Sequence, residues 1–275
     1  RTALSCTLLT TLLTSASAAR DINAGNHNAF AINGETVTIK NGATVGVGRA
    51  QVGNAVSSNS SIVVSNNGNT NESSITIEKG GRLNSRIFSS YQAKIKDIII
   101  NGSIGAGPSN ASIINFRGTT IEKIEVGQTG VLEGGIINSW FKNGGTTSGN
   151  STINNIDIKG KVEGGIKNQS GTMQTITITG SVSGGIQNDD TMETITITGS
   201  VSGDIINNKT MQSISVSNGT VNNNIQNSGT ISGVTIANSN IGGNIVNSGT
   251  NANTGNISIT GTSDVKGSIV NQNGA

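Results

Sequence analysis

Apolar and polar residues alternate with a period of two along most of the chain. Between Thr175 and Asn188 the even positions hold Ile, Val, Gly and a final Asn, whereas most odd positions hold Thr, Ser or Gln. Such alternation is the pattern of strands that bury one face and expose the other. It continues through three short runs, so each unit is predicted to contain three short strands.

The alternating unit repeats itself along the chain. Alignment on Ile-x-Asn places one Asn at the same point of eight units: Asn115, Asn138, Asn168, Asn188, Asn207, Asn227, Asn247 and Asn271. A unit of about 20 residues cannot bury its apolar face alone, so it must stack on copies of itself. The predicted fold is therefore all-β, a single-stranded parallel β-helix (a β-solenoid), and we expect it to be right-handed.

The repeated Asn occurs at a predicted corner, on the inward-facing parity. A side-chain amide has both a donor and an acceptor, so it can bond to the same Asn one coil away, about 4.8 Å along the stack. The alternative is that Asn is only a turn residue that tolerates a left-handed backbone. Eight occurrences in one register favour a ladder. Met173, Met192 and Met211 are predicted to form a second, purely packing column.

Three regions are predicted along the chain. Residues 1–19 read as an N-terminally clipped export signal, with Arg1, an apolar stretch and a small-residue cleavage pattern; a short cap helix is the alternative. Residues 20–95 read as irregular coils of the solenoid, with Ser89 in the place of the corner Asn. Residues 96–275 read as regular coils, and because the sequence ends just after Asn271 without a cap, we expect the natural protein to continue.

The composition argues against several classes of function. The chain has 39 Gly, 1 Pro and 2% aromatic residues, which suits a thin core of β-branched side chains. The formal net charge of +2 comes from sparse, mixed charges, so the sequence shows no basic patch of the kind that binds nucleic acid. No apolar run approaches the ~18 residues of a membrane span. The one cysteine, Cys6, lies in the signal, so we expect neither disulfides nor a thiolate metal site, and no cofactor.

Few residues suggest catalysis. Glu133 and Glu163 occupy equivalent positions of adjacent units and resemble the carboxylate pair of a glycosidase. A solvated charge ladder that includes Lys161 is the favoured interpretation. Asp189 with Asp190 and the one histidine lack obvious partners, and no metal-ligand cluster is present. No catalytic residue is assigned.

Two surface features remain. Outward Thr and Ser residues at 175–179, 194–198 and 213–217 resemble the arrays of ice-binding solenoids, although Thr is common on exposed strand faces. Insertions and most aromatic residues collect after the Asn corner, and on a rigid scaffold such loops often make contacts. The candidate contact residues are Tyr91, Phe116, Trp140, Phe141 and Lys142. The alternative is that these rings cover the apolar seam between coils.

An export signal, a mature chain without cysteine and Asn-rich coils such as "TITITGSVSGGIQN" resemble the passenger domains of bacterial autotransporters. The resemblance covers residues 100–275 well and 20–100 loosely. It implies secretion through the outer membrane by a C-terminal β-barrel, of which this sequence contains no strands, and display of the passenger as an adhesin, stalk or toxin carrier.

We therefore expect a non-enzymatic solenoid at the outer-membrane surface or outside the cell. Its expected partners are a host-cell surface, a glycan or further copies of itself, and its membrane attachment would pass only through the missing barrel. The alternatives are a secreted polysaccharide-active β-helix enzyme, an ice-binding solenoid, or an intracellular bactofilin-like scaffold, which "GSVSGDI" faintly resembles.

Overall fold

The chain forms a parallel β-solenoid. The computed structural model describes residues 18–66, 71–139 and 150–272. In this part of the chain, each coil contributes one strand to each of three sheets, and the strands of successive coils pair in parallel. The predicted fold class is confirmed.

We name the sheets in the order in which a coil visits them. The first sheet contains Ala18–Ile22, Glu35–Ile39, Ser73–Ile77, Lys94–Ile100, Thr120–Val126, Thr152–Ile158, Thr172–Ile178, Thr191–Ile197, Thr210–Ser217, Thr230–Ala237 and Asn253–Thr260. The second sheet contains Gly25–His27, Ala43–Val45, Arg82–Leu83, Ser103–Ile104, Val131–Leu132, Lys161–Val162, Ser181–Val182, Ser200–Val201, Thr220–Val221, Asn240–Ile241 and Asp264–Val265. The third sheet contains Phe30–Ile32, Ala55–Val64, Arg86–Ser89, Ala111–Phe116, Gly135–Ser139, Ile166–Asn168, Ile186–Asn188, Ile205–Asn207, Ile225–Asn227, Ile245–Ser248 and Ile269–Gln272.

One continuous core fills the space between the sheets. In a typical coil, Ile176, Ile178, Val182 and Ile186 are fully buried, as the period-two pattern predicts. Met173 is buried as well, although its number has the opposite parity. Gln174 takes no part in the register of the strand pairs, so a local irregularity shifts the alternation by one residue.

The predicted methionine column is confirmed. Met173 pairs with Met192, and Met192 pairs with Met211, with all three side chains buried. Ile153 and Ile231 continue the column on either side. An unbranched Met fills the same inward position as a β-branched Ile, which agrees with a packing role.

Coil length is uniform only in part of the stack. Ladder asparagines are 19 or 20 residues apart between Asn168 and Asn247, but 23, 30 and 24 residues separate the other linked pairs. The average over the solenoid is about 23 residues per coil. The extra residues leave at corners, so the core register is preserved.

The irregular coils carry an additional layer on the third sheet. Gly48–Val52 pairs antiparallel with Ala55–Val64, and this hairpin brings Ala50 and Ala55 against Val63 in a small second apolar cluster. A short 3-10 helix, Pro108–Asn110, projects from the corner before a later strand of the same sheet. The predicted boundaries at 19 and 95 stay predictions, and residues 1–17 of the predicted signal lie outside the described residues.

Candidate functional site

The amide ladder inside the stack is confirmed. Asn188 donates from Nδ2 to Oδ1 of Asn207 at 2.8 Å, and the same bond joins each successive pair of the eight predicted asparagines. Ser89 donates from Oγ to Oδ1 of Asn115, so it takes the ladder position one coil earlier, as predicted.

The ladder also satisfies the corner backbone. Nδ2 of Asn188 donates to the carbonyl oxygens of Asp190 at 3.0 Å and of Thr210 at 2.9 Å, in its own coil and the next one. These carbonyls lie where the chain turns from the third sheet to the first. Because the asparagines from Asn115 to Asn207 are fully buried, the ladder is a structural column and not a ligand site.

A second, shorter polar ladder was not found from the sequence. Asp204 Oδ1 accepts from the backbone N of Asn224, and Asn224 Oδ1 accepts from the N of Asn244, both within 2.9 Å. Asn244 Oδ1 accepts in turn from the N of Ser268. The signal was present, because these residues all directly precede the Ile of Ile-x-Asn, where the three units before Asp204 have Gly135, Gly165 and Gly185.

Two of the predicted contact residues belong to one aromatic cluster. Arg117 stacks over the rings of Tyr91 and Phe116, at 4.8 and 5.3 Å from their centroids, and donates a hydrogen bond to the Tyr91 hydroxyl. Phe88 lies 5.8 Å from Phe116, centroid to centroid. We call Phe88, Tyr91, Phe116 and Arg117 the aromatic cluster. The other candidates, Trp140, Phe141 and Lys142, lie outside the described residues.

Part of this cluster has a packing role. Phe88 and Tyr91 pack against the small apolar cluster under the hairpin. Of the candidate rings, Tyr91 thus has a packing contact, and the alternative that the candidate rings cover the apolar seam between coils stays a prediction. Phe88 was missed because only rings at or after the corner were selected, although its outward parity is readable from the inward neighbours Ile87 and Ser89.

The corner beside the aromatic cluster holds a strained backbone. Tyr91, Gln92 and Arg117 all have left-handed φ values, between 53° and 58°. The N–H of Gln92 donates to the carbonyl of Arg117, which ties the two coils together. Non-glycine residues rarely adopt this conformation, and such strain is concentrated at functional positions.

A groove of about 380 Å³ crosses the outer face of the third sheet next to this cluster. Ser109 and Asn110 of the 3-10 helix form one end, Asp204 lies at the other, and Lys167 and Gln187 line it between them. The groove exists because the intervening coils have glycines where later coils have the side chains of the second ladder.

The glycines of the groove floor have a structural explanation of their own. A Cβ on Gly165 would approach the carbonyl oxygen of Gly185 to 2.7 Å, and one on Gly135 would approach that of Gly165 to 2.2 Å. Close approach of neighbouring coils therefore requires glycine here.

Charges are distributed unequally among the faces. The ion pairs of the described residues join side chains of the first sheet, of the second sheet or of the corners on either side of the second sheet, and Glu133 and Glu163 lie at the corner towards the third sheet. The third-sheet strands from Ala55–Val64 to Ile166–Asn168 contain no Asp or Glu. No described carboxylate forms an ion pair with Arg86, Arg117 or Lys167. Burial lowers the pKa of the Arg86 guanidinium, whose bonds go to Ser60 Oγ and the Pro108 carbonyl.

The two candidate catalytic carboxylates are both paired with cations. Glu133 accepts from Arg82 through both of its oxygens, at 2.6 and 3.2 Å, and this contact raises the pKa of Arg82. Glu163 accepts from Lys161 at 2.8 Å, as predicted for a charge ladder. On the first sheet, hydrogen bonds from two lysines likewise lower the pKa of Glu125.

The remaining sequence candidates form no cluster. His27 contacts the carbonyl oxygen of Asn23 through Nε2 at 2.7 Å, so spacing alone missed its partner. Within the described ranges, no three His, Cys, Asp or Glu side chains are grouped to hold a metal ion. The same residues include no helix of the length and apolarity needed to cross a membrane.

The outward hydroxyl residues of the first sheet do stack. Thr177 pairs with Thr196 and Thr196 with Ser215, in register. A neighbouring column ends when Ser213 is followed by Gly233. The array is thus short, and its ice-binding role stays a prediction.

Comparison with models of known protein families, with curated proteins and with solved structures finds no match for this chain.

Proposed function

We propose that this chain is a non-enzymatic adhesion rod, secreted or displayed at a bacterial cell surface as the passenger of an autotransporter. Its partner is a glycan or another component of a host-cell surface. The aromatic cluster and the neighbouring groove on the third sheet make the contact.

One observation carries this proposal: most irregular features of the described rod lie on one face. The hairpin, the 3-10 helix, the aromatic cluster, the strained corner and the groove all belong to the third sheet or its corners. Regular coils supply a rigid support, and contact residues on such a support are held at a defined distance and orientation.

The resemblance to autotransporter passengers supports the export route. A chain without disulfides can be threaded unfolded through a pore. Each coil contacts only its neighbours, so folding can begin at one end and propagate along the stack. The parallel strand pairs between successive coils provide that nearest-neighbour coupling.

The test is adhesion of beads coated with the full chain to epithelial cell monolayers. The variant is Tyr91→Asn with Phe116→Ser: Asn tolerates the left-handed backbone of position 91, and Ser already stands in the register position of Phe116 at Ser139. We expect the variant to lose most adhesion, because aromatic residues dominate contact energies.

The matched control changes two outward residues of another face, Thr177→Ala with Thr196→Ala, and should adhere like the wild type. Circular dichroism checks that all proteins are folded. If the aromatic variant adheres as well as the wild type, the site is wrongly assigned. If the wild-type rod adheres to no cell surface, the adhesion function itself is wrong.

A further inference from the structure

We infer that the groove on the third sheet binds a short oligosaccharide with one acidic group, a carboxylate or a sulfate, which Lys167 holds. The inference rests on the proposed adhesive function and names the ligand class of its binding face.

The groove has the dimensions of a short sugar chain. It extends over four successive coils, from that of Gly135 to that of Asp204. With coils about 4.8 Å apart, its length is roughly 14 Å, or about three sugar rings placed along the rod axis. The aromatic cluster adjoins one end, because Phe116 lies in register with Ser139, two residues after the groove residue Ile137. A ring at that end offers a flat apolar surface for the face of a further sugar.

Lys167 supplies the charge that selects an anion. It lies in the outward column of the third sheet, between Ile137 and Gln187, and lines the groove. Its ammonium group makes no hydrogen bond or ion pair with the residues that the structure describes. The third-sheet strands from Ala55–Val64 to Ile166–Asn168 hold no carboxylate. On the following coils, the carboxylate of Asp189 accepts from Gln187 and that of Asp204 accepts from Asn224 and Gln226, so Lys167 has no carboxylate partner of its own among the described residues and can attract an anion.

The other end of the groove favours neutral hydroxyl groups over an anion. Asp204 lies two coils beyond Lys167, roughly 10 Å along the axis. Its carboxylate accepts from Asn224 and from Gln226 Nε2, which holds it in place. A carboxylate accepts hydrogen bonds from sugar hydroxyls but repels a second acidic group. The groove therefore fits one acidic sugar followed by neutral ones, and not a uniformly acidic chain.

A peptide strand fits this face less well than a sugar. Peptides commonly bind sheets by pairing with a free edge. Here the groove crosses strands that already pair on both sides, as when Ile136 N donates to Gly165 O and Ile166 N donates to Gly185 O. A ligand along the groove consequently meets side chains, whose groups suit hydroxyls and one anion.

The test is isothermal titration calorimetry of the full chain with sugars of two or three rings. Sialyllactose carries one terminal carboxylate, lactose 3′-sulfate carries one sulfate, maltotriose is neutral and trigalacturonate carries three carboxylates. The first two separate a carboxylate ligand from a sulfate ligand, and an acidic tripeptide tests the peptide alternative.

The variants use residues that the same columns already contain. Lys167→Gln places in the groove the residue found one coil later at Gln187, and Asp204→Asn copies its successor Asn224. Both variants should therefore fold. Lys161→Ser, which copies Ser181 on the second sheet, removes a lysine from another face as the matched control.

We expect wild type to prefer a singly acidic sugar over maltotriose, and Lys167→Gln to weaken that binding about fivefold. Asp204→Asn should strengthen trigalacturonate binding about threefold, because it removes a like charge. Lys161→Ser should bind every sugar like the wild type.

Three results would overturn the inference: equal affinity for maltotriose and the singly acidic sugars, unchanged binding by Lys167→Gln, or an acidic tripeptide that binds as tightly as the sugars. If adhesion persists in the bead assay, only the ligand assignment fails. If neither sugar binding nor adhesion is found, the adhesive function fails with it.

Discussion

At the residue scale, the ladder asparagines provide hydrogen-bond partners for the backbone at the sharp corner of each coil. The turn leaves backbone carbonyls without partners inside the rod, and an unpaired buried polar group is costly. Each amide nitrogen bonds to corner carbonyls and to the next amide oxygen, as Asn207 does with Lys209, Thr230 and Asn227. A residue with poor strand propensity is favoured here because it replaces several missing bonds.

Replacing one ladder residue should therefore destabilise the rod strongly. Asn188→Ala leaves Oδ1 of Asn207 without its donor and deprives Asn168 of an acceptor, both in buried positions. We expect a loss of about 3 kcal/mol in the free energy of unfolding, measured by urea denaturation. Asn208→Ala is the control, because among the described residues this exposed side chain bonds only to Asp189, and its loss should change stability by less than about 0.5 kcal/mol. If the two variants lose the same free energy of unfolding, the ladder does not stabilise the rod as we expect.

At the scale of the element, short strands are joined by corners that must pass very close to the preceding coil. A Cβ on Gly199 would lie 2.0 Å from the carbonyl oxygen of Gly180, and Gly180 has the same relation to Gly160 at 2.1 Å. These corners connect the first sheet to the second. Gly160, Gly180 and Gly199 are needed for spacing and not for a left-handed backbone, because none of the three has a positive φ.

This close approach predicts a difference between two Gly→Ala changes. Gly199→Ala forces two backbone segments apart and should cost about 2 kcal/mol in the free energy of unfolding. Gly233→Ala is the matched control in a first-sheet strand, because its Cβ would meet only a carbonyl oxygen at an ordinary 3.7 Å. Its effect should be neutral or slightly stabilising, since Ala restricts the unfolded chain. Thermal melting of both variants makes the comparison, and a larger loss at Gly233 would refute it.

At the scale of the whole molecule, the coils behave as interchangeable layers. One continuous core runs from Ile32 to Ile245, and each regular coil repeats the buried positions of its neighbour. Stability should then depend on nearest-neighbour contacts between coils more than on the total number of coils.

Removal of one whole coil should therefore leave the fold intact. Deletion of residues 191–209 joins Asp190 to Thr210 and preserves the register of both ladder and core, because Thr191 and Thr210 occupy equivalent positions. We expect an unchanged circular dichroism spectrum per residue and a rod shortened by about 5 Å in small-angle X-ray scattering. Deletion of residues 191–201, about half a coil, removes Thr191–Ile197 from the first sheet and Ser200–Val201 from the second but no strand from the third, and should abolish cooperative melting. Equal behaviour of the two deletions would refute the layered description.

Much of the fold was accessible from the sequence because its determinants are local and repeated. Alternation showed which side chains face inward, and the fixed place of Asn188 and its equivalents identified the corner and the ladder. A repeat of near-constant length leaves stacking as the one arrangement that buries every apolar face. Even the place of Ser89 followed from register alone.

The proposed contact face could be predicted only in part from the sequence. Tyr91 and Phe116 were selected by their place after the corner, but Phe88, Arg117 and Lys167 were not. Their roles arise between coils that are separated by more than 20 residues, so no spacing within one unit reveals them. The parity shift at Gln174 could not be predicted from the sequence for a related reason, because it is a property of the pairing between strands.

The chain's own sequence thus determined the all-β repeat, the inward face and the amide ladder, because each is set by periodic positions within one coil. Only the tertiary structure decided where the groove lies, which cations lack carboxylate partners and which glycines are needed for close approach. Those features depend on what neighbouring coils place beside one another, and a groove exists only where side chains of several layers are missing together.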